Sequence, residues 1–474
     1  MQSKLWVDHL RRIHVQPRCE MKGLILWLVL TGTALAQGAF GPGAGGVPGA
    51  AGIGACGATG TYPSITPAPQ TSCGNVAPFP AAPSSPTSLA ACGALLANTN
   101  YQLTTNLTSS ITTNCLTVNG PNTVLDFNGH SVTGGILVTD PNGDHLYSSA
   151  ASGSFTCNQD SGSLTACLYG NISTASLIAL FEIDHLTATN TSTGTATNSR
   201  NLLIDYGSIA TGTLSGSITT KIHNITSTSG TGLTSTRIIN LQVQGIAHTT
   251  IAYPEFYDNF TTCQATAAAC QGQVAFGTYD AKKHNNKEVN QLSNASSTET
   301  PRADFCDQTD GCEVYANYYD TQDGRAFRFR GSSNTHDVNS SHDNYVDNVV
   351  AGTNPNYVAA IHLGDPDTGT EVESLTVNHN VINYTSGLVS MQRDATAVTI
   401  TGNTVNCVSC AGNGTPNLWW LRITSANATQ GSALGTTFNG GTPDAPQTQC
   451  DVGTSSLVCN SGTSSTCTIN NGAC

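Results

Sequence analysis

Val314-Tyr-Ala-Asn317-Tyr-Tyr319 is the first of four copies of one pattern in this sequence. In each copy an apolar or small residue is followed by two residues, an Asn, one residue and an apolar or aromatic residue. The other copies are Ser341-His-Asp-Asn344-Tyr-Val346, Val377-Asn-His-Asn380-Val-Ile382 and Ile400-Thr-Gly-Asn403-Thr-Val405, so the four Asn lie 27, 36 and 23 positions apart. Repeats of this length indicate stacked units, none of which buries a core alone.

Short strand-like segments separate the copies: Ala326–Phe329, Val358–Leu363, Leu388–Met391 and Leu418–Ile423. Their apolar and polar residues alternate, as a strand with one buried face requires. A repeat of 23 residues, at ~3.3 Å per residue, suits three short strands and three turns. Asn tolerates a left-handed backbone and its amide bonds neighbouring turns, so one Asn per repeat predicts an inward ladder of amides. The predicted fold is all-β, a single-stranded right-handed parallel β-helix (β-solenoid) with lateral loops and local disulfides.

The composition agrees with this fold class. The chain has 474 residues, of which 38% are hydrophobic and only 10% charged, with 48 Gly and a formal charge of −13. A solenoid has a narrow apolar core inside polar turns, and it grows along one axis without dividing into further domains. The acidic balance argues against nucleic acid as a partner.

The N-terminal residues predict export. Residues 1–36 contain a basic upstream extension and then Met21-Lys22, the apolar run Gly23–Leu30 and Ala34-Leu35-Ala36, which together have the form of a secretory signal peptide. The apolar run is shorter than a typical membrane span. We expect a secreted or cell-surface protein without a membrane span after cleavage, with a retained signal anchor as the alternative.

The cysteine content supports the same compartment. The chain has 17 Cys, and removal of Cys19 with the leader leaves an even number, as expected of disulfides in an oxidising environment. Local pairing is the simplest assignment, although spacing does not fix connectivity. The predicted couples are Cys56/Cys73, Cys92/Cys115, Cys157/Cys167, Cys263/Cys270, Cys306/Cys312, Cys407/Cys410, Cys450/Cys459 and Cys467/Cys474.

Composition divides the rest of the chain. Residues 37–87 form a Gly-, Ala- and Pro-rich linker. Residues 88–425 form the β-helix domain, with an insertion at 245–311 where basic and aromatic residues concentrate. Residues 426–474 lose the strand pattern and form a Cys-containing cap or tail, which we expect to cover the open end of the solenoid.

Two phrases carry a resemblance to known proteins: Gly324-Arg-Ala-Phe-Arg-Phe-Arg-Gly331 and Val398-Thr-Ile-Thr-Gly-Asn-Thr-Val405. With the surrounding repeats, they resemble the right-handed parallel β-helix proteins of the pectin lyase-like superfamily, over roughly residues 110–425. That superfamily includes lyases, glycoside hydrolases and adhesins, so the resemblance implies the fold and does not select an activity. The sequence has no paired Asp followed by Gly-His-Gly and no Asn-Gly-Lys lyase signature.

Strand alternation predicts one outer column of polar side chains, because the neighbouring apolar residues point inward. The column comprises Arg328, His362, Ser390 or Gln392, and Arg422, with Arg330 and Arg393 at the strand ends. Successive coils lie ~4.8 Å apart, so Arg328 and His362 can contact one sugar ring. Because Arg side chains grip carboxylates, the column predicts binding of an acidic polysaccharide or cell-surface glycan, to which Lys282 and Lys283 contribute.

The same column suggests β-elimination of a uronate. Arg328 or Arg330 neutralises the carboxylate and His362 takes the adjacent proton. Tyr345 or Tyr357 protonates the leaving oxygen. Arg328, His362 and Arg330 are therefore the predicted catalytic residues, and a polysaccharide lyase is the preferred enzyme class.

Other readings remain open. A glycoside hydrolase needs a carboxylate pair, which Asp320, Asp323, Asp343 and Asp347 can supply. A non-catalytic extracellular adhesin or structural solenoid explains the Ser-, Thr- and Asn-rich faces without any chemistry. No metal site is predicted, although Ca²⁺, which prefers oxygen ligands, is an option beside a solvated acidic loop at Asp365, Asp367, Glu371 and Glu373. The chain is expected to be a monomer.

Overall fold

The computed structural model describes much of the chain from residue 78 onward. The described ranges are 78–139, 141–172, 180–193, 198–207, 218–229, 237–245, 252–263, 269–290, 302–321, 325–330, 338–347, 359–363, 372–384, 387–391, 395–401, 403–407, 419–423, 430–434, 437–439, 447–450, 456–459 and 468–470. These residues form β-strands, turns and bends and no helix. None of the described segments is therefore a helix able to cross a membrane.

The strands assemble into three sheets, here called A, B and C. Sheet A contains β1 (Thr87–Leu89), β3 (Asn100–Leu103), β6 (Val124–Asp126), β9 (Asp144–Tyr147), β12 (Leu180–Asp184), β15 (Ile218–His223), β18 (Ala252–Tyr257), β21 (Tyr279–His284), β24 (Asp310–Tyr315), β27 (Val338–His342), β30 (Val372–Asn378), β33 (Ala395–Thr401), β36 (Gln430–Leu434) and β39 (Ser456–Cys459). Sheet B contains β2 (Gly93–Leu96), β5 (Asn114–Asn119), β8 (Gly135–Thr139), β11 (Leu168–Asn171), β14 (Asn198–Asp205), β17 (Arg237–Gln244), β20 (Ala269–Phe276), β23 (Arg302–Asp307), β26 (Arg325–Arg330), β29 (Ala359–Leu363), β32 (Gly387–Met391), β35 (Trp419–Ile423), β38 (Gln447–Cys450) and β40 (Thr468–Asn470). Sheet C contains β4 (Leu107–Thr108), β7 (Ser131–Thr133), β10 (Gly153–Cys157), β13 (Leu186–Asn190), β16 (Thr226–Ser229), β19 (Phe260–Cys263), β22 (Lys287–Asn290), β25 (Tyr318–Thr321), β28 (Tyr345–Asp347), β31 (Val381–Tyr384), β34 (Thr404–Cys407) and β37 (Thr437–Asn439).

Consecutive strands belong to different sheets, and from β3 to β37 the chain visits sheets A, C and B in turn. From β2 to β36 each strand pairs with the strand three positions further along, and the pairs are parallel, as in β12 with β15 and β15 with β18. We call three consecutive strands, one from each sheet, a coil. The fold is all-β with parallel strands in stacked sheets, which is consistent with a parallel β-helix.

The core lies between the three sheets. Alternate residues of each strand point inward, so equivalent apolar residues of successive coils stack, as Leu202 on Leu241 and Ile204 on Val243 do in sheet B. One continuous cluster of buried apolar side chains extends from Leu95 to Ile382. Stacking allows coils too short to bury a core individually to share one.

The predicted ladder of Asn side chains is confirmed. The amide nitrogen Nδ2 of Asn317 donates to Oδ1 of Asn344 at 3.0 Å, that of Asn344 to Asn380 at 2.9 Å, and that of Asn380 to Asn403 at 3.0 Å. The ladder begins before the first predicted copy, because Asn286 donates to Asn317 in the same way. The ladder residues are fully buried, so their hydrogen bonds satisfy amides that would otherwise be costly to bury.

The left-handed backbone lies one residue before the expected position. Among the described residues that precede a ladder Asn, φ is 54° at Ala316, 54° at Asp343 and 54° at His379. The Asn itself therefore follows the sharp turn and points inward. The positive φ is least favourable at Ala316. Its Cβ comes close to a carbonyl oxygen, and alanine has no polar group that could compensate by a local hydrogen bond.

Four predicted disulfides are confirmed. They are Cys92–Cys115, Cys157–Cys167, Cys263–Cys270 and Cys306–Cys312. The other four couples involve residues outside the described part of the chain or side chains that the structure does not describe. The disulfides that are described join residues close in sequence, and they hint at an extracellular protein.

Two predicted boundaries differ from the strand pattern. The segment 245–311, expected to be an insertion, contributes β18 to β23 to the three sheets. The segment 426–474, expected to be a cap or tail, contributes β36 to β40. Both predictions relied on the loss of a simple apolar alternation, and in 252–307 charged and aromatic residues occupy strand positions that are apolar elsewhere.

Candidate functional site

The backbone register of sheet B matches the predicted column. Arg328 pairs with His362, His362 with Ser390, and Ser390 with Arg422. These four residues therefore occupy equivalent positions in consecutive coils. The structure describes the side chain of Arg328 but not those of the other three.

Arg328 is a buried residue. Only 6% of it is exposed, and its guanidinium carbon lies 5.3 Å from the ring centre of Phe305, its neighbour in the preceding coil. Phe305 packs in turn with Ile239 and Val274 in an apolar cluster separate from the main core. A planar guanidinium over an aromatic ring is a stabilising cation–π contact. In this conformation Arg328 offers little surface to a polymer.

The remaining predicted residues of sheet B are dispersed. Arg330 contacts Asp307 through Nη1, with 3.3 Å to Oδ1, so it belongs to an ion pair. Gln392 and Arg393 lie outside the described residues. So do Asp365 and Asp367 of the acidic loop suggested for Ca²⁺.

Lys282 and Lys283, predicted to bind substrate with the column, lie on β21 of sheet A and not on sheet B. Lys282 is exposed, whereas Lys283 is fully buried, with 0% exposure. Lys283 points into the core because adjacent residues of a strand face opposite sides. It therefore does not join a substrate-binding surface on the outside. Tyr345, a predicted proton donor, lies on sheet C and stacks on Tyr318 at 5.6 Å, and Tyr357 lies outside the described residues.

The outer side of sheet A carries a polar surface with more described side chains than the Arg328 column of sheet B. We call it the sheet A face, and it consists of two columns. The charge column comprises Glu182, Lys221, Glu255, Lys282 and Glu313, which pair in register in that order. The ring column, two residues further along each strand, comprises His223, Tyr257, His284, Tyr315 and His342.

The five rings form an unbroken stack. The distances between ring centres are 4.3 Å for His223–Tyr257, 5.2 Å for Tyr257–His284, 4.8 Å for His284–Tyr315 and 5.0 Å for Tyr315–His342. The rings are nearly parallel, with interplanar angles from 2° to 11°. Because each coil advances ~4.8 Å, the coil spacing itself imposes this stacking distance.

Each histidine of the stack is held by a glutamate of the preceding coil. Nε2 of His223 lies 2.9 Å from Glu182, and Nε2 of His284 lies 3.2 Å from Glu255. Nδ1 of each accepts from the side-chain amide of the following residue, Asn224 or Asn285. Both ring nitrogens of these histidines are therefore occupied, with Nε2 as the donor to the glutamate.

His342 differs, because both of its ring nitrogens face carboxylates. Nε2 lies 3.2 Å from Glu313 and Nδ1 lies 2.9 Å from Asp343. Burial opposes protonation, but the hydrogen bonds to Asp343 and Glu313 outweigh it and raise the pKa of His342 to about 9. His342 is consequently a cation at neutral pH, at the end of the ring column.

The carboxylates of the face are held ionised. The hydrogen bond with its histidine lowers the pKa of Glu182, of Glu255 and of Glu313. Burial, and then the charge of Glu313, raises the pKa of Tyr315 to about 12, so the tyrosine hydroxyl remains a donor. The face thus presents ionised acceptors, hydroxyl donors and alternating lysines, but no protonated carboxylic acid for general-acid chemistry.

One end of the face gathers groups that can hold a metal ion. One ligand atom each from Glu182, Asp184 and His223 lies within 4.8 Å of the others. His145 and His185 also contact Asp184, at 2.7 and 2.6 Å. Burial would raise the pKa of Asp184, but the hydrogen bonds from His145 and His185 prevail and lower it to about 2. Imidazole with carboxylate suits a divalent transition ion, yet the same groups already satisfy one another by hydrogen bonding.

The sequence carries a signal for the sheet A face in addition to the four copies of the Asn pattern. Four segments share a five-residue pattern: Lys or Glu, any residue, His or Tyr, any residue, and then the residue that follows the turn. These segments are Lys221–Ile225, Glu255–Asn259, Lys282–Asn286 and Glu313–Asn317. At the first position Lys and Glu alternate from one segment to the next, and at the third position His and Tyr alternate in the same way. The pattern is visible only when 252–290 is read as coils.

No family model, no curated protein and no solved structure matches this chain.

Proposed function

We propose that this chain is a secreted right-handed parallel β-helix, similar to the pectin lyase-like proteins, that binds an acidic polysaccharide along the sheet A face. The polymer runs parallel to the stack of coils. Crossovers between parallel strands of one sheet are right-handed as a general rule, which supports the proposed handedness, and the disulfides support export. The binding mode requires no residue of the buried Arg328 site.

The observation that carries this proposal is the two-coil alternation of charge and ring type. Lys221 and Lys282 stand two coils apart, and the protonated His342 follows after two more coils. Cations therefore recur every ~9.6 Å along the surface. A polymer in which alternate sugars turn a carboxylate toward the protein has the matching repeat. The intervening glutamates accept hydrogen bonds from the hydroxyls of the sugars between them.

The chemistry of the face favours binding over cleavage. A glycoside hydrolase needs one protonated and one ionised carboxyl group, and the carboxylates here are kept ionised by their histidines. A lyase needs a base with a free lone pair, and both ring nitrogens of His223 and His284 are occupied. This is the behaviour of an adhesin or binding protein.

The test is a binding titration of the purified chain with a uronate polymer, a polymer of alternating uronate and neutral sugar, and a neutral polymer. We expect binding of the acidic polymers, weakened by salt. Lys221→Gln and Lys282→Gln each remove one charge-assisted contact of about 1.5–3 kcal/mol, which is roughly a tenfold loss of affinity or more. Arg237→Gln, on sheet B, is the matched control and should leave affinity unchanged. Full affinity in the Lys221→Gln/Lys282→Gln double variant, with a native circular dichroism spectrum, would refute the proposal.

β-Elimination at the Arg328–His362 pair is a second candidate, favoured by their adjacency in register. The cation and the base then lie one coil apart, as abstraction of a proton beside a uronate carboxylate requires. Its test is the near-ultraviolet absorbance of an unsaturated product formed from uronate polymers. Activity that His362→Ala abolishes while binding survives would support it, and absence of product from the polymers that bind would exclude it.

A further inference from the structure

One coil carries three charged residues in its core. Lys283 of β21, Glu288 of β22 and Asp304 of β23 come from sheets A, C and B respectively. Exposure is 0% for Lys283, 0% for Glu288 and 1% for Asp304. Buried ionisable groups are costly unless they pair, and neither polymer binding nor the sheet A face uses this cluster.

The lysine and the aspartate are in direct contact. Nζ of Lys283 lies 3.2 Å from Oδ1 of Asp304 and also donates to the main-chain oxygens of Gln273, at 2.7 Å, and Phe305, at 3.0 Å. The hydroxyl of Tyr319 donates to the other aspartate oxygen, Oδ2. The amine is therefore held against a carboxyl group whose second oxygen is already polarised by a hydrogen bond.

Aromatic side chains line part of this cluster. The ring centre of Phe256 lies 5.5 Å from Nζ of Lys283, and the ring of Phe327 packs edge-on against Tyr319 at 4.7 Å. Phe256, Tyr319 and Phe327 are themselves fully buried or nearly so. An apolar enclosure favours the neutral forms of an amine and a carboxylic acid over the ion pair.

Glu288 completes the cluster as a third, differently placed group. Within the described residues, neither of its oxygens has a hydrogen-bond donor. Burial first, and then the charge of Asp304, raise the pKa of Glu288 well above its usual range. Burial lowers the pKa of Lys283. A protonated Glu288 is then able to donate to Asp304, which removes the apparent lack of partners.

We infer that Lys283 and Asp304 condense to an intramolecular isopeptide bond, with Glu288 as the proton relay. The lone pair on Nζ attacks Cγ of Asp304, and the new N–C bond forms as the bond from Cγ to Oδ1 breaks. Two of the three ammonium protons pass through Glu288 to Oδ1, which leaves as one water molecule. Oδ2 stays as the amide oxygen on Tyr319. The lysine cation and the aspartate anion become one neutral amide, so the step needs no further reactant.

The bond would replace two buried charges by a neutral amide and would link two sheets. A buried ion pair loses much of its Coulomb attraction to desolvation, whereas an amide carries no net charge, and its N–H can keep one of the carbonyl acceptors. The link joins sheets A and B across the core of a single coil, in addition to the nearby disulfide Cys306–Cys312. It protects that coil against unfolding in a compartment where thiol chemistry is the other source of cross-links.

Mass spectrometry of the full chain, produced in bacteria and reduced, tests the inference. We expect a mass lower than that of the sequence by one water molecule. Trypsin should cleave after Lys282 but not after Lys283, and should release peptide Lys283–Lys287 joined to peptide Ala303–Arg325. Recovery of peptide His284–Lys287, released by cleavage after Lys283, and of an unlinked peptide Ala303–Arg325 from a protein with a native circular dichroism spectrum would overturn the inference.

The variant Glu288→Gln tests whether bond formation needs Glu288 or only the proximity of Lys283 and Asp304. The glutamine keeps the shape of the side chain but cannot relay protons, so the variant should retain the full mass and yield the separate peptides. Lys282, cleaved by trypsin in every sample, is the internal control for digestion. A Glu288→Gln protein that is fully cross-linked would overturn the role assigned to Glu288. Loss of the bond in Glu288→Gln with an unchanged spectrum would establish it.

Discussion

Replacement of Asn317 by alanine tests whether the amide ladder is a main source of stability. Asn317 donates through Nδ2 to the Lys283 carbonyl and to Asn344, each at 3.0 Å, and it accepts from the main-chain and side-chain nitrogens of Asn286 at 2.9 and 3.0 Å. Alanine leaves three buried partners without a hydrogen bond: the Lys283 carbonyl, the Asn286 main-chain N–H and one N–H of the Asn286 amide.

The expected loss follows from those three groups. A buried polar group left unpaired costs about 1–3 kcal/mol, and a trapped water can recover part of that. We therefore expect Asn317→Ala to lower the free energy of unfolding by roughly 3–6 kcal/mol, a large share of the ~5–15 kcal/mol typical of a folded protein. Asn317→Asp keeps the acceptor but turns a buried charge toward two acceptors, so it should destabilise at least as much.

Urea unfolding followed by tryptophan fluorescence provides the measurement. Asn378→Ala is the control, because Asn378 lies on the outer side of β30 beside His342 and should change stability by no more than about 0.5 kcal/mol. Since coils contact mainly their neighbours, we expect the Asn317→Ala variant to unfold in two steps, as the coils on either side of the substitution separate. Equal midpoints for Asn317→Ala and Asn378→Ala would show that the ladder does not stabilise the stack.

Three further tests, which use four substitutions, probe local features by thermal or chemical unfolding. Gly153→Ala places a Cβ against Phe127 and should cost about 1–3 kcal/mol, whereas Gly93→Ala, with open space around it, should be nearly neutral; equal effects would contradict the packing. Ala316→Gly relieves a φ of 54° and should stabilise by about 0.5–1 kcal/mol, and a loss of stability would refute that reading. The pKa of His342 is raised to about 9, so its stabilisation is complete below the unfolded value near ~6.5 and is lost as pH rises toward the folded value. The decline in stability over that interval should be absent in His342→Gln, and an identical decline would exclude the ion pairs as its cause.

Local disulfides and the Asn ladder were predictable because both depend on short-range sequence. Cysteines in neighbouring turns have few other partners, and the four described pairs, separated by 6 to 23 positions, follow the predicted couples. The Asn of each repeat stands at a fixed distance from the next strand, so the ladder follows from the repeat. The register of Arg328 with His362 was predictable for the same reason.

The sheet A face was not predicted, because its members are separated by loops of different lengths. His223 and Tyr257 are neighbours in space although 34 positions separate them, and the next ring, His284, follows after 27. A search for constant spacing passes over such a series. The charged residues in 252–290 also obscure the alternation, which is why the sequence pattern predicts an insertion there.

By itself, the sequence determined the class of fold, the ladder positions and the local disulfide couples, because these depend on the residue types within one repeat. Only the tertiary structure decided which side chains face outward together and which are enclosed. Lys282 and Lys283 are adjacent in sequence, yet one is exposed beside Glu255 and Glu313 in register and the other is buried against Asp304. The reason is physical: alternation along a strand sends neighbours to opposite sides, and stacking of coils then supplies partners from distant parts of the chain.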